Sequence, residues 1–172
     1  MSNKVFAVII AVLILGSGVF VGLKRHPPQP RLGVAQANEG RDHFQDNGYN
    51  PPYKAKIPTS GPHTSEGRWG VSPQQIPDRN VIHNMEHGGV VISYRPDLDS
   101  STVTKLQSLL GPPYTESNFT PSKVILMPRR EQQKLIVLAS WDRVLGLDYF
   151  DKQKIIDYYH TNEGKSPEPA GG

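Results

Sequence analysis

The sequence predicts an α+β fold: a small, mostly antiparallel sheet with two helices on one face, preceded by a long ordered loop region and an N-terminal transmembrane helix. Three observations predict it: an uncharged apolar run at the start, a Gly- and Pro-rich stretch after it, and β-branched runs that alternate with helical patterns. Beyond the apolar run, the chain of 172 residues has room for one domain of ordinary size.

The first element is the uncharged run of 19 residues from Val5 to Leu23. As a helix it is just long enough to cross a bilayer core of about 30 Å. We therefore assign residues 1–23 to a transmembrane anchor or uncleaved signal, which predicts a single-pass cell-membrane protein with its domain on the extracytoplasmic, periplasmic or outer, side. Ala35-Gln36-Ala37 has the small-x-small form of a signal-peptidase site, so a secreted or periplasmic domain is the alternative.

Residues 24–38 contain three prolines and are predicted to form an extended linker. A single extracytoplasmic domain is expected over residues 39–164, and residues 165–172 are predicted to be a flexible tail. The domain begins with loop, because prolines and glycines recur as far as about residue 80. Regular structure is therefore expected only in the second half of the chain.

The second half alternates strand and helix signals. Gly89 to Tyr94 is rich in β-branched residues and predicts a strand. Asp99 to Leu110 predicts a helix with Asp99 or Ser100 as its cap and a glycine as its stop. Lys123 to Met127 and Lys134 to Trp141 predict two further strands, and the short polar stretch between them suits a hairpin. A final helix is expected from about Asp148 to His160.

Composition excludes several function classes. The chain has no cysteine, which rules out disulfides, thiolate catalysis and iron–sulfur clusters, so any metal must be held by His, Met or carboxylate. The net charge of +3 comes from scattered residues, which argues against a nucleic-acid partner. No phosphate loop or dinucleotide fingerprint is present, and no organic cofactor is expected.

Histidine is the informative residue type, because His43, His63, His83 and His87 all precede the first predicted strand. His83 and His87 are four residues apart, a spacing that places two side chains on one face of either a helix or a strand. His63 follows Pro58-Thr59-Ser60-Gly61-Pro62, where Gly and Pro predict a tight turn that presents the imidazole from a rigid backbone.

The local structure around His83 decides which residue joins the pair. A helix adds Glu86 and gives His-x-x-Glu-His, the reversed zinc-protease pattern with Glu as the general base. An extended segment adds Met85 instead. Mediocre helix formers precede the motif and Gly88-Gly89 follows it, which favours the extended or loop form.

Three stretches together resemble a known family: Glu39-Gly40-Arg41-Asp42-His43, the Pro58 to His63 turn, and His83-Asn84-Met85-Glu86-His87-Gly88-Gly89-Val90-Val91. They look like the bacterial and archaeal extracytoplasmic family catalogued as domain of unknown function 3105, whose members often follow one membrane segment. The resemblance covers about Glu39 to Gly164. It implies a location and a fold but no activity, and many relatives carry Leu where this chain has Met85.

The resulting hypothesis is a membrane-tethered domain that binds a metal ion, with copper slightly favoured over zinc. The expected ligands are His63, His83 and His87, with Met85 or Met127 as a softer ligand, and the expected supporting residues are Glu86, Ser60 and His43. A metal-trafficking partner or a membrane protein complex would be the partner. The first alternative is a non-catalytic interaction module or accessory subunit with structural histidines; the second is a zinc-dependent hydrolase. No catalytic residue is assigned, and binding is favoured over catalysis.

Overall fold

The computed structural model describes residues 29–110 and 123–169, and its folded unit begins at Arg31. That part of the chain contains three helices: α1 (Asp78–Glu86), α2 (Ser100–Leu109) and α3 (Lys152–Asn162). Its strands are β1 (Val34–Ala35), β2 (Gly70–Val71), β3 (Val90–Tyr94), β4 (Val124–Pro128), β5 (Ile136–Ser140) and β6 (Arg143–Leu147). The predicted membrane segment lies outside the described residues, and no helix within them is long and apolar enough to span a bilayer.

The strands form one six-stranded sheet in the order β1-β6-β5-β3-β4-β2. β5 pairs antiparallel with both β3 and β6, and β6 pairs antiparallel with β1. β4 pairs parallel with both β3 and β2. The α+β class is therefore confirmed, but the sheet is mixed, and the prediction of a mostly antiparallel sheet is wrong.

The predicted hairpin between the second and third strands is also wrong, because β3 lies between β4 and β5. β3 and β4 run parallel and are connected through α2, since parallel neighbours need a crossover connection. The hairpin of this sheet joins β5 to β6, where Ser140 pairs with Arg143 and only two residues form the turn. β6 was not predicted, because the last strand expected from the sequence ends at Trp141.

Two helices, α2 and α3, cover one face of the sheet, as the sequence predicted. Each begins at an aspartate whose side chain accepts a hydrogen bond from a backbone N–H in the first turn: Asp99 from Thr102, and Asp151 from Lys154. The core on this face is built from alternate positions of the central strands and from both helices: Val90, Ile92, Leu106, Leu109, Leu110, Val124, Leu126, Ile136, Leu138, Leu147, Ile155, Ile156, Tyr158 and Tyr159.

The opposite face is covered by the helix α1 and by loop residues that precede it. The buried cluster here consists of Val81, Ile82, Met85, Val91, Ile125, Met127, Ala139 and Trp141. The extended or loop form expected around His83 is therefore wrong. α1 has no side-chain cap at its N-terminus, and burial of its apolar face against the sheet outweighs the modest helix propensity of its residues.

α1 ends in a glycine-dependent turn. The backbone N–H of Gly88 donates to Met85 and that of Gly89 donates to Asn84, the paired bonds of a Schellman motif. Gly88 has φ +84°, which favours glycine, and a Cβ there would lie 2.8 Å from Gly164 Cα. The chain can therefore leave the helix at once, enter β3, and accept the segment that follows α3 close against the turn.

Candidate metal centre

Two loop segments bring His43 and His63 together. His63 donates its backbone N–H to Asp42, and Phe44 donates its backbone N–H to His63, at 2.9 and 3.0 Å. The two histidines thereby form an isolated parallel bridge. His63 is fully buried, whereas the side chain of His43 is 51% exposed. One ring of the pair is thus fixed in the interior and the other is reachable from solvent.

The helix α1 supplies the other side of the cluster. His83, Glu86 and His87 stand at i, i+3 and i+4, positions that share one helical face, and His87 is the C-cap that follows the last residue of α1. Glu86 is fully buried. Met85 lies two positions from His83, about 200° around the helix, and its side chain belongs to the hydrophobic cluster under α1.

A backbone carbonyl orients each of three imidazole rings. The Nδ1 atoms of His63, His83 and His87 lie 2.8, 2.6 and 3.2 Å from the carbonyl oxygens of Gly61, Thr64 and Glu168, respectively. A carbonyl oxygen only accepts, so each Nδ1–H donates and Nε2 of the neutral ring carries a lone pair. Rings that bind metals are held in this way, because the bond at one nitrogen fixes the tautomer and the direction of the other.

The Nε2 atoms converge. His83 Nε2 is 2.8 Å from His87 Nε2, and His63 Nε2 is 3.0 Å from His43 Nε2. One ligand nitrogen from each of His43, His63 and His83 lies within 4.8 Å of the other two. Because the Nδ1 atoms of His83 and His87 both donate to carbonyls, their Nε2 atoms are both acceptors. Two acceptors at hydrogen-bond distance need a cation between them, either a proton or a metal ion.

Glu86 repeats this pattern. Its Oε2 lies 2.9 Å from Nε2 of His63 and 3.4 Å from Nε2 of His43, so a carboxylate oxygen again faces a nitrogen that carries a lone pair in the neutral ring. Its Oε1 is buried and has no hydrogen-bond partner among the residues that the structure describes. An uncompensated buried carboxylate is costly, and a bound cation would offset that cost.

The electrostatics disfavour a proton as the shared cation at His83. Burial is the largest cause lowering the pKa of this ring, and the neighbouring His87, His63 and His43 lower it further against the opposing effect of the Thr64 carbonyl. A lowered pKa keeps the ring neutral at neutral pH and its lone pair available. The donor set, imidazoles with one carboxylate and no thiolate, suits zinc and copper.

A family model with the description "Protein of unknown function (DUF3105)" matches residues 45–172. The chain belongs to this family. No curated protein matches the chain, and no solved structure does. The part that matches the DUF3105 family includes His63, His83, Glu86 and His87, and it begins two residues after His43. Membership confirms the resemblance drawn from the sequence and assigns no activity.

The structure of this DUF3105 member brings together the three predicted histidine ligands and Glu86. It also places His43, predicted as a supporting residue, in direct contact with His63. Ser60 lies in the turn before His63 and accepts a hydrogen bond from the backbone of Glu39. Met127 packs in the same apolar cluster as Met85, and its sulfur accepts a bond from the backbone of Ile76, so neither methionine joins the histidine cluster.

Glu168 was not among the site residues predicted from the sequence. Its backbone N–H donates to Glu86 and its carbonyl accepts from His87, so the segment after α3 lies against the C-terminal end of α1. One carboxylate oxygen each from Glu86 and Glu168 and one nitrogen of His87 lie within 4.8 Å of one another. No local sequence signal indicated this residue, since it stands in a stretch rich in Pro, Ser and Glu.

Proposed function

We propose that this protein binds a divalent transition-metal ion through His43, His63 and His83, with His87 and Glu86 beside them. The contact between His83 Nε2 and His87 Nε2 carries the proposal, because carbonyl acceptors at both Nδ1 atoms leave two lone pairs facing each other at 2.8 Å. An ion bound at about 2.0–2.1 Å from His83 Nε2 would use the lone pair of that nitrogen, which removes the repulsion and accounts for rings held this close.

Two metals fit the donor set best. Imidazole and carboxylate ligands accommodate copper(II) and zinc(II), and affinity in such sites rises to its maximum at copper in the Irving–Williams order. The proposal therefore keeps copper ahead of zinc. This preference for copper does not depend on a thioether ligand, since both candidate methionines lie in the hydrophobic core and not at the histidines.

We propose further that the site works outside the cytoplasm, on a domain tethered through the apolar run from Val5 to Leu23. The length of this uncharged run supports the tether, because a helix of that length is just long enough to cross a bilayer core. A cysteine-free ligand set supports the compartment, because imidazole sites survive oxidising conditions that modify thiols. A metal-trafficking protein or a membrane complex is the kind of partner that such a tethered site would serve.

Metal analysis of the full-length chain tests the proposal. The protein is purified in detergent with a tag other than polyhistidine, stripped with chelator, loaded with copper(II) or zinc(II) and dialysed. We expect at least one tightly held ion per chain. His83→Ala should abolish tight binding and keep the native circular dichroism spectrum, whereas His160→Ala, which removes an exposed histidine of α3, should bind like the parent.

Absence of bound metal would overturn the proposal. The histidines would then serve loop architecture in an interaction module or accessory subunit, and His83→Ala would lower the melting temperature of the metal-free protein. A zinc-dependent hydrolase is the second candidate, favoured by the position of His83 and Glu86 on α1 with His87 as its C-cap. Peptide hydrolysis by the zinc-loaded chain that disappears in Glu86→Gln would support it, and no hydrolysis would remove it.

A further inference from the structure

We infer that the cluster holds a second cation next to the first, bound by Glu86, His87 and Glu168, with Glu86 bridging the two positions. This inference rests on the proposed function and adds to it the number of ions and a ligand from the segment after α3. One ligand atom from each of these three residues lies within 4.8 Å of the others. They form a group separate from His43, His63 and His83, which supply the first position.

The carboxylate of Glu86 provides the independent observation. Its Oε2 faces His63 and His43 at 2.9 and 3.4 Å, on the side of the first position. Although the residue is fully buried, its Oε1 has no hydrogen-bond partner in the described part of the chain. A carboxylate with one oxygen beside the first position and the other without a partner can bind one ion with each oxygen.

The two positions are adjacent because the helix α1 contributes to both. His83 belongs to the first group and His87 to the second, and their Nε2 atoms are 2.8 Å apart. Two pairs of acceptor atoms are in contact: Nε2 of His63 with Oε2 of Glu86, and Nε2 of His83 with Nε2 of His87. One ion at the first group compensates the contact between His63 and Glu86. It leaves Nε2 of His87 and Oε1 of Glu86 without a cation among the described residues, and a second ion compensates these two atoms.

Glu168 makes the second position dependent on the segment after α3. That segment is fixed by its backbone: Glu168 donates its N–H to Glu86, and Lys123 donates to the carbonyl of Pro169 at 3.1 Å. The side chain of Glu168 is 48% exposed, and Arg41 lies 3.3 Å from its Oε1. The carboxylate is therefore accessible to an incoming ion, and Arg41 is a cation that competes for it.

Copper(II) titration of the full-length, metal-free chain distinguishes one position from two. We expect two equivalents per parent chain, and an electron paramagnetic resonance spectrum that shows coupling between neighbouring copper(II) ions once the second equivalent is added. Glu168→Gln keeps every backbone bond of its segment, so it should retain the first equivalent with unchanged affinity and bind the second about 100-fold more weakly or not at all. Glu163→Gln, a charge change in the same segment, is the matched control and should bind two.

The outcomes separate this inference from the proposed function. One equivalent in the parent chain, or two in Glu168→Gln with undiminished affinity, would overturn the second position and leave the first intact. Two uncoupled ions would place the second copper elsewhere and would also overturn it. No tight copper at all would overturn the proposed function itself.

Discussion

Replacement of Glu86 by glutamine should have opposite effects on the metal-free and metal-loaded protein. In the metal-free protein, Oε2 of Glu86 lies 2.9 Å from Nε2 of His63, which carries a lone pair in the neutral ring, and Oε1 has no partner among the described residues. The glutamine amide is nearly the same size, carries no charge, and can donate an N–H to that lone pair. One new hydrogen bond is worth about 1 kcal/mol, so Glu86→Gln should stabilise the metal-free protein by about that amount, or about 4 °C in melting temperature.

The metal-loaded protein should respond in the other direction, because the substitution removes the negative charge that compensates the ion. A loss of about 10–100-fold in affinity is expected. With free metal at 1,000 times the dissociation constant, binding contributes about 4.1 kcal/mol to folding stability, and this falls to about 1.4–2.7 kcal/mol after the loss. The rise in melting temperature on metal addition should therefore shrink from about 16 °C to about 6–11 °C.

Calorimetry with and without copper(II) measures both quantities in one series, and Glu66→Gln, which neutralises an exposed glutamate, is the control that should change neither. A Glu86→Gln protein that melts lower without metal and gains as much stability from metal as the parent would refute this reasoning. Glu86 would then be an ion-pair partner that supports the buried His63 ring and has no part in binding.

Three further predictions concern the turn after α1, the pH dependence and the topology. Gly88→Ala should lower the free energy of unfolding in urea more than Gly48→Ala does. Both glycines have positive φ, but of the two only Gly88 would bring the added Cβ against backbone, at 2.8 Å. Equal losses would contradict the close packing of the segment after α3. The pKa of His83 is lowered from its ordinary value of 6.5, so the unfolded chain takes up more protons than the folded one on acidification. In calorimetry the metal-free protein should therefore lose stability between about pH 7.5 and 5.5, and His83→Gln should lose less. A stability that rises on acidification would contradict the lowered pKa. Protease added to intact spheroplasts should digest the domain, and complete protection would contradict an extracytoplasmic location.

The elements with strong local signals were predicted well. β3 and α2 appear close to where β-branched residues, Asp99 and the following leucines indicated. α1 was missed because its sequence carries little intrinsic helix propensity and no side-chain cap. Its stability comes from packing of Val81 and Ile82 on the sheet, a tertiary contribution that propensity does not contain.

The pairing of strands could not be read from their order along the chain. β4 and β5 follow each other in sequence, yet β3 lies between them. Both carry uninterrupted apolar runs, Val-Ile-Leu-Met and Ile-Val-Leu-Ala, instead of an alternating pattern. Such runs are typical of strands covered on both faces, and they were the available indication that a second helical layer existed.

For the site, spacing predicted that His83 and His87 lie on one face under either secondary structure, and their rings are in contact. The choice between Met85 and Glu86, in contrast, depended on that structure. The helix puts Glu86 on the histidine face and Met85 in the core. His43 and Glu168 join through backbone bonds between distant segments, which no pattern of side chains in the sequence encodes.

The sequence separation of these residues determines when a metal ion would bind during folding. His43 and His63 are 20 residues apart, and His87 is 81 residues from Glu168. Closing such loops in an unfolded chain is entropically unfavourable, so only the short segment with His83, Glu86 and His87 offers more than one ligand before folding. An ion at the proposed site would therefore be captured by the finished tertiary structure and would not nucleate folding, and almost its whole binding free energy would add to the stability of the native state.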